Sequence, residues 1–153
     1  MIRPATAADI ADLFRVRTSV RENHLSIEQL EERGVTSASI IATLSDDDWR
    51  TWVAEENGTI CGFTMASAKA GSVFALFISP ESEGRGYGSA LLSEAERWLF
   101  ESGREMIWLE TDKDPATRAH RLYQRAGWVL VGPADHGDVR YEKRKRISHS
   151  GHR

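Results

Sequence analysis

The chain has 153 residues, the length of one domain, with 41% hydrophobic and 28% charged residues, a balance that suits a packed globular fold and argues against disorder. With 20 Lys and Arg against 23 Asp and Glu, the formal charge is −3, a poor match for a chain whose main task is gripping nucleic acid. The lone Cys61 excludes an internal disulfide and a cysteine-built zinc site, and the longest apolar run, Val73 to Ile78, is far too short to span a bilayer. Met1-Ile2-Arg3-Pro4 lacks a signal-peptide pattern, so the expectation is a soluble cytoplasmic protein with one domain over residues 1–143 and a flexible basic tail over residues 144–153.

Ile2-Arg3-Pro4 reads as a short strand. Thr6 and Asp9 form a capping-box-like start to a helix with Ile10, Leu13 and Phe14 on its buried face, running to about Glu22. Ser26 and Gln29 open a second, polar helix that Gly34 stops, and a third is expected over 37–44. The period then changes to that of strands. Residues 49–55 and 59–67 flank Asn57-Gly58, the strongest short hairpin signal, and 72–79 is apolar on both faces, as a central strand would be. After Pro80 and a glycine-rich turn, Leu91, Leu92, Ala95, Trp98 and Leu99 recur at helical spacing until Gly103. A strand over 105–112 follows. Asp114-Pro115 predicts the start of a further helix with the stripe Ala119, Leu122, Tyr123 and Ala126, and 128–131 with 139–143 close the chain as a strand pair. Helices alternating with strands after an initial meander indicate an α/β or α+β sandwich on a mixed sheet.

The chemistry concentrates at Gly84-Arg85-Gly86-Tyr87-Gly88, between an apolar strand and a helix. Glycines let a ligand approach the backbone, and the amides and partial positive charge of a helix start suit a phosphate or diphosphate. The spacing is neither the dinucleotide fingerprint nor a P-loop, which needs a Lys-Ser/Thr pair after its glycines. A tight turn without a ligand is the other reading.

Two blocks narrow the choice. Leu76-Phe77-Ile78-Ser79-Pro80-Glu81-Ser82-Glu83-Gly84-Arg85-Gly86-Tyr87-Gly88-Ser89-Ala90-Leu91-Leu92 resembles the acetyl-coenzyme A signature of the GNAT N-acetyltransferase superfamily, and Ala119-His120-Arg121-Leu122-Tyr123-Gln124-Arg125-Ala126-Gly127-Trp128 resembles its distal motif. The order of elements from Ile2 to about Lys143 is similar as well. The resemblance implies a mostly antiparallel central sheet of about six to seven strands flanked by helices, and acetyl-CoA as cofactor. It also implies diphosphate binding by the amides from Glu83 through Ser89, with an N–H near Phe77 or Ile78 polarising the thioester carbonyl. Tyr123 matches the tyrosine that protonates the departing thiolate. Two positions depart from the family pattern. Glu83 stands where Arg or Gln is usual, with Arg85 at hand to offset it, and Ala116, a cofactor-side position, stands where Asn is common.

Outside the resemblance, Tyr123 reads equally as a buried tyrosine whose hydroxyl bonds a neighbouring strand. Continuing the first helix by 3.6-residue spacing places Arg17, Arg21 and His24 on its buried face. There the arginines either pair with carboxylates such as Glu110 or Asp112 or face a cleft and take a carboxylate-bearing substrate. Glu110 is the candidate base or water-positioner for an amine, with His24 second, and His120 is expected on the helix surface or beside the cofactor. The residues point to an N-acetyltransferase acting on a small-molecule primary amine in a ternary complex, without metal, nucleic acid or membrane, with exposed sheet ends suited to a homodimer. The rival readings are an acyl-CoA sensor that has lost catalysis, and an acetyltransferase for a protein- or nucleic-acid-linked amine.

Overall fold

The computed structural model describes residues 1–21 and 24–146. Seven strands form one sheet in the order β1-β2-β3-β4-β5-β7-β6, with β1 Ile2–Pro4, β2 Trp49–Glu56, β3 Thr59–Ser67, β4 Ser72–Ile78, β5 Met106–Thr111, β6 Val129–Pro133 and β7 Val139–Arg144. Every neighbouring pair is antiparallel except β4 with β5. Helices α1 (Ile10–Ser19), α2 (Ile27–Glu32) and α3 (Ser37–Leu44) precede β2, α4 (Tyr87–Glu101) links β4 to β5, and α5 (Arg118–Arg125) links β5 to β6.

Alternation along β2 and β3 explains the layers. Trp52, Ala54 and Cys61 face one core with Leu91, Leu92, Ala95 and Leu99 of α4, while Val53, Ile60, Phe63 and Met65 face a second with Leu13 and Val16 of α1. Both faces are covered, so β3 is buried from Ile60 to Ser67 and β2 from Thr51 to Ala54. Asn57 (φ 54°) and Gly58 (φ 80°) make the left-handed pair of a type I′ turn, as the dipeptide predicts.

Three expectations are corrected. The first helix stops at Ser19 instead of reaching Glu22, which lies outside the described residues, because Val20 turns extended (ψ 148°). The Thr18 and Ser19 hydroxyls bond the Phe14 and Val16 carbonyls at 2.9 and 2.7 Å, local bonds of a kind that compete with helix propagation. Its buried face is Ile10, Leu13 and Val16, with Phe14 only partly covered. The fifth helix starts at Arg118 behind the N-cap Thr117, not at Pro115. Asp114 instead accepts from the Ala116 amide at 3.0 Å, a side-chain turn that satisfies the segment without a helix. Of the expected tail, residues 147–153 lie outside the described residues.

Arg3 ties β1 to the turn before α1. Its guanidinium forks onto Asp9 at 2.9 and 3.0 Å while Nε bonds Glu55 at 2.9 Å, and the Asp9 side chain is almost wholly buried. The Arg3 bond is the main force holding the Asp9 carboxyl below its ordinary value, against burial, with the Thr6 amide adding to it. Arg3→Ala would strand that carboxylate, so it is expected to cost about 2 kcal/mol and roughly 4–8 °C in Tm. A folded pKa below the unfolded one means the contribution is present above the unfolded carboxyl range of about 3.9 and fades as pH falls through it. Melting curves of wild type and variant should therefore converge below about pH 4, and a pH-independent gap would refute the assignment.

Candidate active site

Past Ser72 the sheet opens. β4 stays paired with β3 as far as Ile78, but among the described residues its pairing with β5 is limited to Ser72 opposite Trp108. A bulge marks the parting. Met65 faces Ala75 and Ala66 faces Val73, so Phe74 has no opposite residue, and an extra residue of this kind bends and twists its strand. Phe74 projects outward, 64% exposed, edge-on to Trp49 at 5.4 Å. The two strands and the helices behind them enclose a groove of about 880 Å³.

One wall is the open edge of β4. Ser79 N–H bonds the Cys61 carbonyl at 2.8 Å, and antiparallel residues alternate between facing their partner strand and facing away. The amides of Ala75 and Phe77 therefore turn to β3, and those of Leu76 and Ile78 turn into the groove. Of the two donors named from sequence, only Ile78 has its N–H available; Phe77 presents its ring, packed on Phe63 at 5.7 Å and covered by the Arg17 guanidinium at 4.2 Å.

The glycine loop continues this wall. Pro80–Ser82 is a single 3-10 turn, closed by a long bond (3.4 Å) from the Glu83 amide to Pro80. Gly84 (φ 79°) and Gly86 (φ 86°) are both left-handed, which turns the chain sharply into α4. Among the described residues no acceptor takes the N–H groups of Gly84 through Ser89, the last three being the orphan donors of the first turn of α4. Arg85 does not offset Glu83: its Nη1 bonds Glu56 beside the β2–β3 turn at 2.6 Å, and the same carboxylate raises the Tyr87 phenol pKa. Glu83 pairs instead with Arg118, at 3.2 Å. Ser89 also lines the groove, whereas Ala116 is exposed and not part of the lining.

The facing wall is α5. Tyr123 lines the groove with its ring against Tyr141 (5.5 Å) and Trp128 (6.2 Å). Its hydroxyl has no hydrogen-bond partner among the described residues, so the reading that bonds it to a neighbouring strand does not hold. Burial, with the Tyr141 phenol second, pushes its pKa well above the ordinary value. His120 is a further correction: it is 2% exposed, not on the surface. Its Nε2 lies 2.6 Å from the Asp112 carbonyl and its Nδ1 2.7 Å from the Tyr141 hydroxyl, which Gln124 Nε2 approaches at 3.3 Å. The Asp112 carbonyl can only accept, so Nε2 donates to it and Nδ1 faces the Tyr141 hydroxyl. That chain pins α5 to β7 and to Asp112, the residue after β5, and so holds the Tyr123 ring in place.

The other predicted groups are spread around the groove. Arg21 lines it; Arg17 lies over the Phe77 ring, where burial lowers its pKa. His24 is exposed, folded back onto the Val20 carbonyl at 3.1 Å. Neither Arg21 nor His24 is on α1, since the helix ends before them. Glu110 lines the groove and is exposed; Arg140, opposite it on β7, is committed to Glu142 at 3.0 Å and to the Trp108 ring at 4.4 Å. Sequence reasoning passed over Thr117 and Arg118, both on the lining. Thr117 is a buried N-cap whose hydroxyl has no partner, and the signal for it was a Thr three residues before His120 that Asp114-Pro115 outweighed.

An unpaired strand edge, six unbonded amides in sequence at a helix start, and an orphan Thr117 hydroxyl beside them fit a long ligand with amide groups and phosphates. The sequence profile of the acetyltransferase (GNAT) family matches residues 8–128. The chain belongs to that family. As a GNAT protein it shares 28% identity over 144 residues with a mycothiol acetyltransferase of Propionibacterium freudenreichii, covering 87% of this chain and 45% of that one, and so spans about half the length of that relative. It is also 28% identical over 135 residues to an uncharacterized N-acetyltransferase, YhfO, of Bacillus subtilis, covering 83% and 88% of the two chains. The GNAT fold superimposes on a PaiA N-acetyltransferase from Thermoplasma acidophilum in complex with coenzyme A with a TM-score of 0.80, at 20% identity and 95% and 98% coverage. The family's cofactor is acetyl-CoA. Among the described residues of this GNAT domain no His, Cys, Asp and Glu side chains cluster to hold a metal, and no helix is long and apolar enough to cross a membrane.

Proposed function

We propose that the groove binds acetyl-CoA and that the protein transfers its acetyl group to a primary amine of a small molecule by direct attack in a ternary complex. The observation that carries this is the run of unbonded amides from Gly84 to Ser89 leading, along the free edge of β4, to a buried, unbonded phenol. Acetyl-CoA, when bound, supplies an activated acyl carbon and a thiolate leaving group. The loop amides hold the diphosphate at the start of α4. Leu76 and Ile78 offer main-chain hydrogen bonds to the amide-bearing arm, and the Ile78 N–H sits where negative charge develops on the carbonyl oxygen. Tyr123 donates its proton to the leaving thiolate, its raised pKa keeping the phenol protonated until charge forms on the sulfur. Glu110 takes or relays the amine proton from the solvent side. Arg21 is the lining cation that would grip a carboxylate on the acceptor, with Arg17 supporting the Phe77 wall. The mycothiol acetyltransferase relative supports a small-molecule acceptor.

Thiol release from acetyl-CoA in the presence of a panel of amines tests the reading. Turnover should climb with pH towards the pKa of an alkylammonium, about 10.4, as more amine is free to attack. Because the Tyr123 pKa is raised, its protonated form outlasts that range, so no falling limb is expected below about pH 10. A bell with a descending limb near neutrality would remove Tyr123 as the acid. For a carboxylated acceptor, Arg21→Ala should raise KM about tenfold with Tm unchanged. An unchanged KM would assign the carboxylate, if any, elsewhere.

A further inference from the structure

One ion pair joins the two walls of the groove. Glu83 stands where the 3-10 turn passes into the glycine loop, and Arg118 opens α5 on the other side. Both line the groove, and Arg118 Nε lies 3.2 Å from Glu83 Oε1, with side chains 58% and 35% exposed. A pair that open to water adds little to the fold. Its position carries the meaning. The carboxylate sits immediately before the run of unbonded amides that begins at Gly84, and the guanidinium is held beside the same loop. Any anion resting on those amides comes within a side chain's reach of Arg118 and is repelled by Glu83. Arg85 is paired with Glu56 beside the β2–β3 turn and, unlike Arg118, is not on the groove lining. A diphosphate carries more charge than one carboxylate and offers a guanidinium paired oxygens, so it is the stronger partner.

We propose that Arg118 is a ligand for the cofactor's phosphates that Glu83 holds in reserve, the Glu83–Arg118 pair forming a strap across the groove that a diphosphate displaces. This rests on the reading that the groove takes acetyl-CoA through its diphosphate. In the free protein Glu83 occupies the guanidinium; on binding, Arg118 passes to the phosphate and Glu83 is released to solvent. Glu83 therefore acts as a brake on affinity that works only against ligands needing Arg118, and a ligand without phosphates neither opens the strap nor gains from its removal.

The test is calorimetric titration of wild type, Glu83→Gln, Arg118→Gln and the double variant with CoA and with pantetheine, which lacks the diphosphate. CoA should bind Glu83→Gln about three- to tenfold tighter and Arg118→Gln about tenfold weaker than wild type. The loss on removing Arg118 should be larger when residue 83 is already Gln, because the Glu83 carboxylate no longer competes with the phosphates. Pantetheine affinity should be the same for all four proteins. CoA bound equally by all four, or more weakly by Glu83→Gln, overturns the strap while leaving the cofactor reading intact. CoA bound by none overturns both.

Discussion

Tyr123→Phe is expected to lower kcat about 10²- to 10³-fold while leaving the affinity for CoA within about threefold of wild type, the range that loss of one positioned proton donor commands. The split follows from where the hydroxyl is. The ring carries the packing against Tyr141 and Trp128, which phenylalanine retains, and the hydroxyl holds no hydrogen bond among the described residues that its removal would break. Stability should therefore hold, since the ring packing is kept and no hydrogen bond is lost. Rapid-quench measurement of acetyl transfer, alongside a melting curve, checks both halves. A variant that melts far below wild type would show a structural tyrosine, and one that turns over at the wild-type rate would show that another group or water protonates the thiolate. An acyl-CoA sensor predicts a different pattern, with CoA bound by both proteins and no amine acetylated by either.

Gly86→Val should weaken CoA binding by about tenfold or more, equivalent to roughly 1.4 kcal/mol. Gly86 is left-handed at φ 86° and a Cβ there meets nothing within 4 Å, so the effect is conformational and not a clash. A β-branched residue cannot sit comfortably at that φ, and relaxing it re-aims the amides that follow at the start of α4. Gly58→Val is the matched control. It has φ 80°, equally empty surroundings and a place on the β2–β3 turn away from the groove lining. Both variants should lose about 1–2 kcal/mol of stability, but only the first should lose affinity. Equal loss of affinity in both would mean that the loop acts through global stability and not through its amides.

The contrast between these sites shows what local sequence can reveal. Asn57-Gly58 and the strands around it were readable because a two-residue turn needs left-handed residues and the flanking alternation fixes register. The glycine loop was readable for the same reason. The parting of β4 from β5 was not, because it depends on a one-residue mismatch between β3 and β4 that no property of Phe74 announces. His120 read as a surface residue or a neighbour of the cofactor since its partner, Tyr141, lies 21 positions on. Glu83 read as a misplaced charge with Arg85 as its neighbour in sequence; its actual partner, Arg118, becomes a neighbour only when α5 folds across the groove. At α1 the helical stripe was extended past the residue where Thr18 and Ser19 turn their hydroxyls onto the backbone, which carried Arg21 and His24 onto a face the helix does not have.

A crystal structure with CoA bound is the most direct test of how this chain would work. Diphosphate oxygens should lie about 2.7–3.2 Å from amide nitrogens between Gly84 and Ser89, with the arm running along Leu76 and Ile78 and the sulfur beside the Tyr123 hydroxyl. A cofactor seated outside the opening between β4 and β5, or a sulfur far from that phenol, would contradict it.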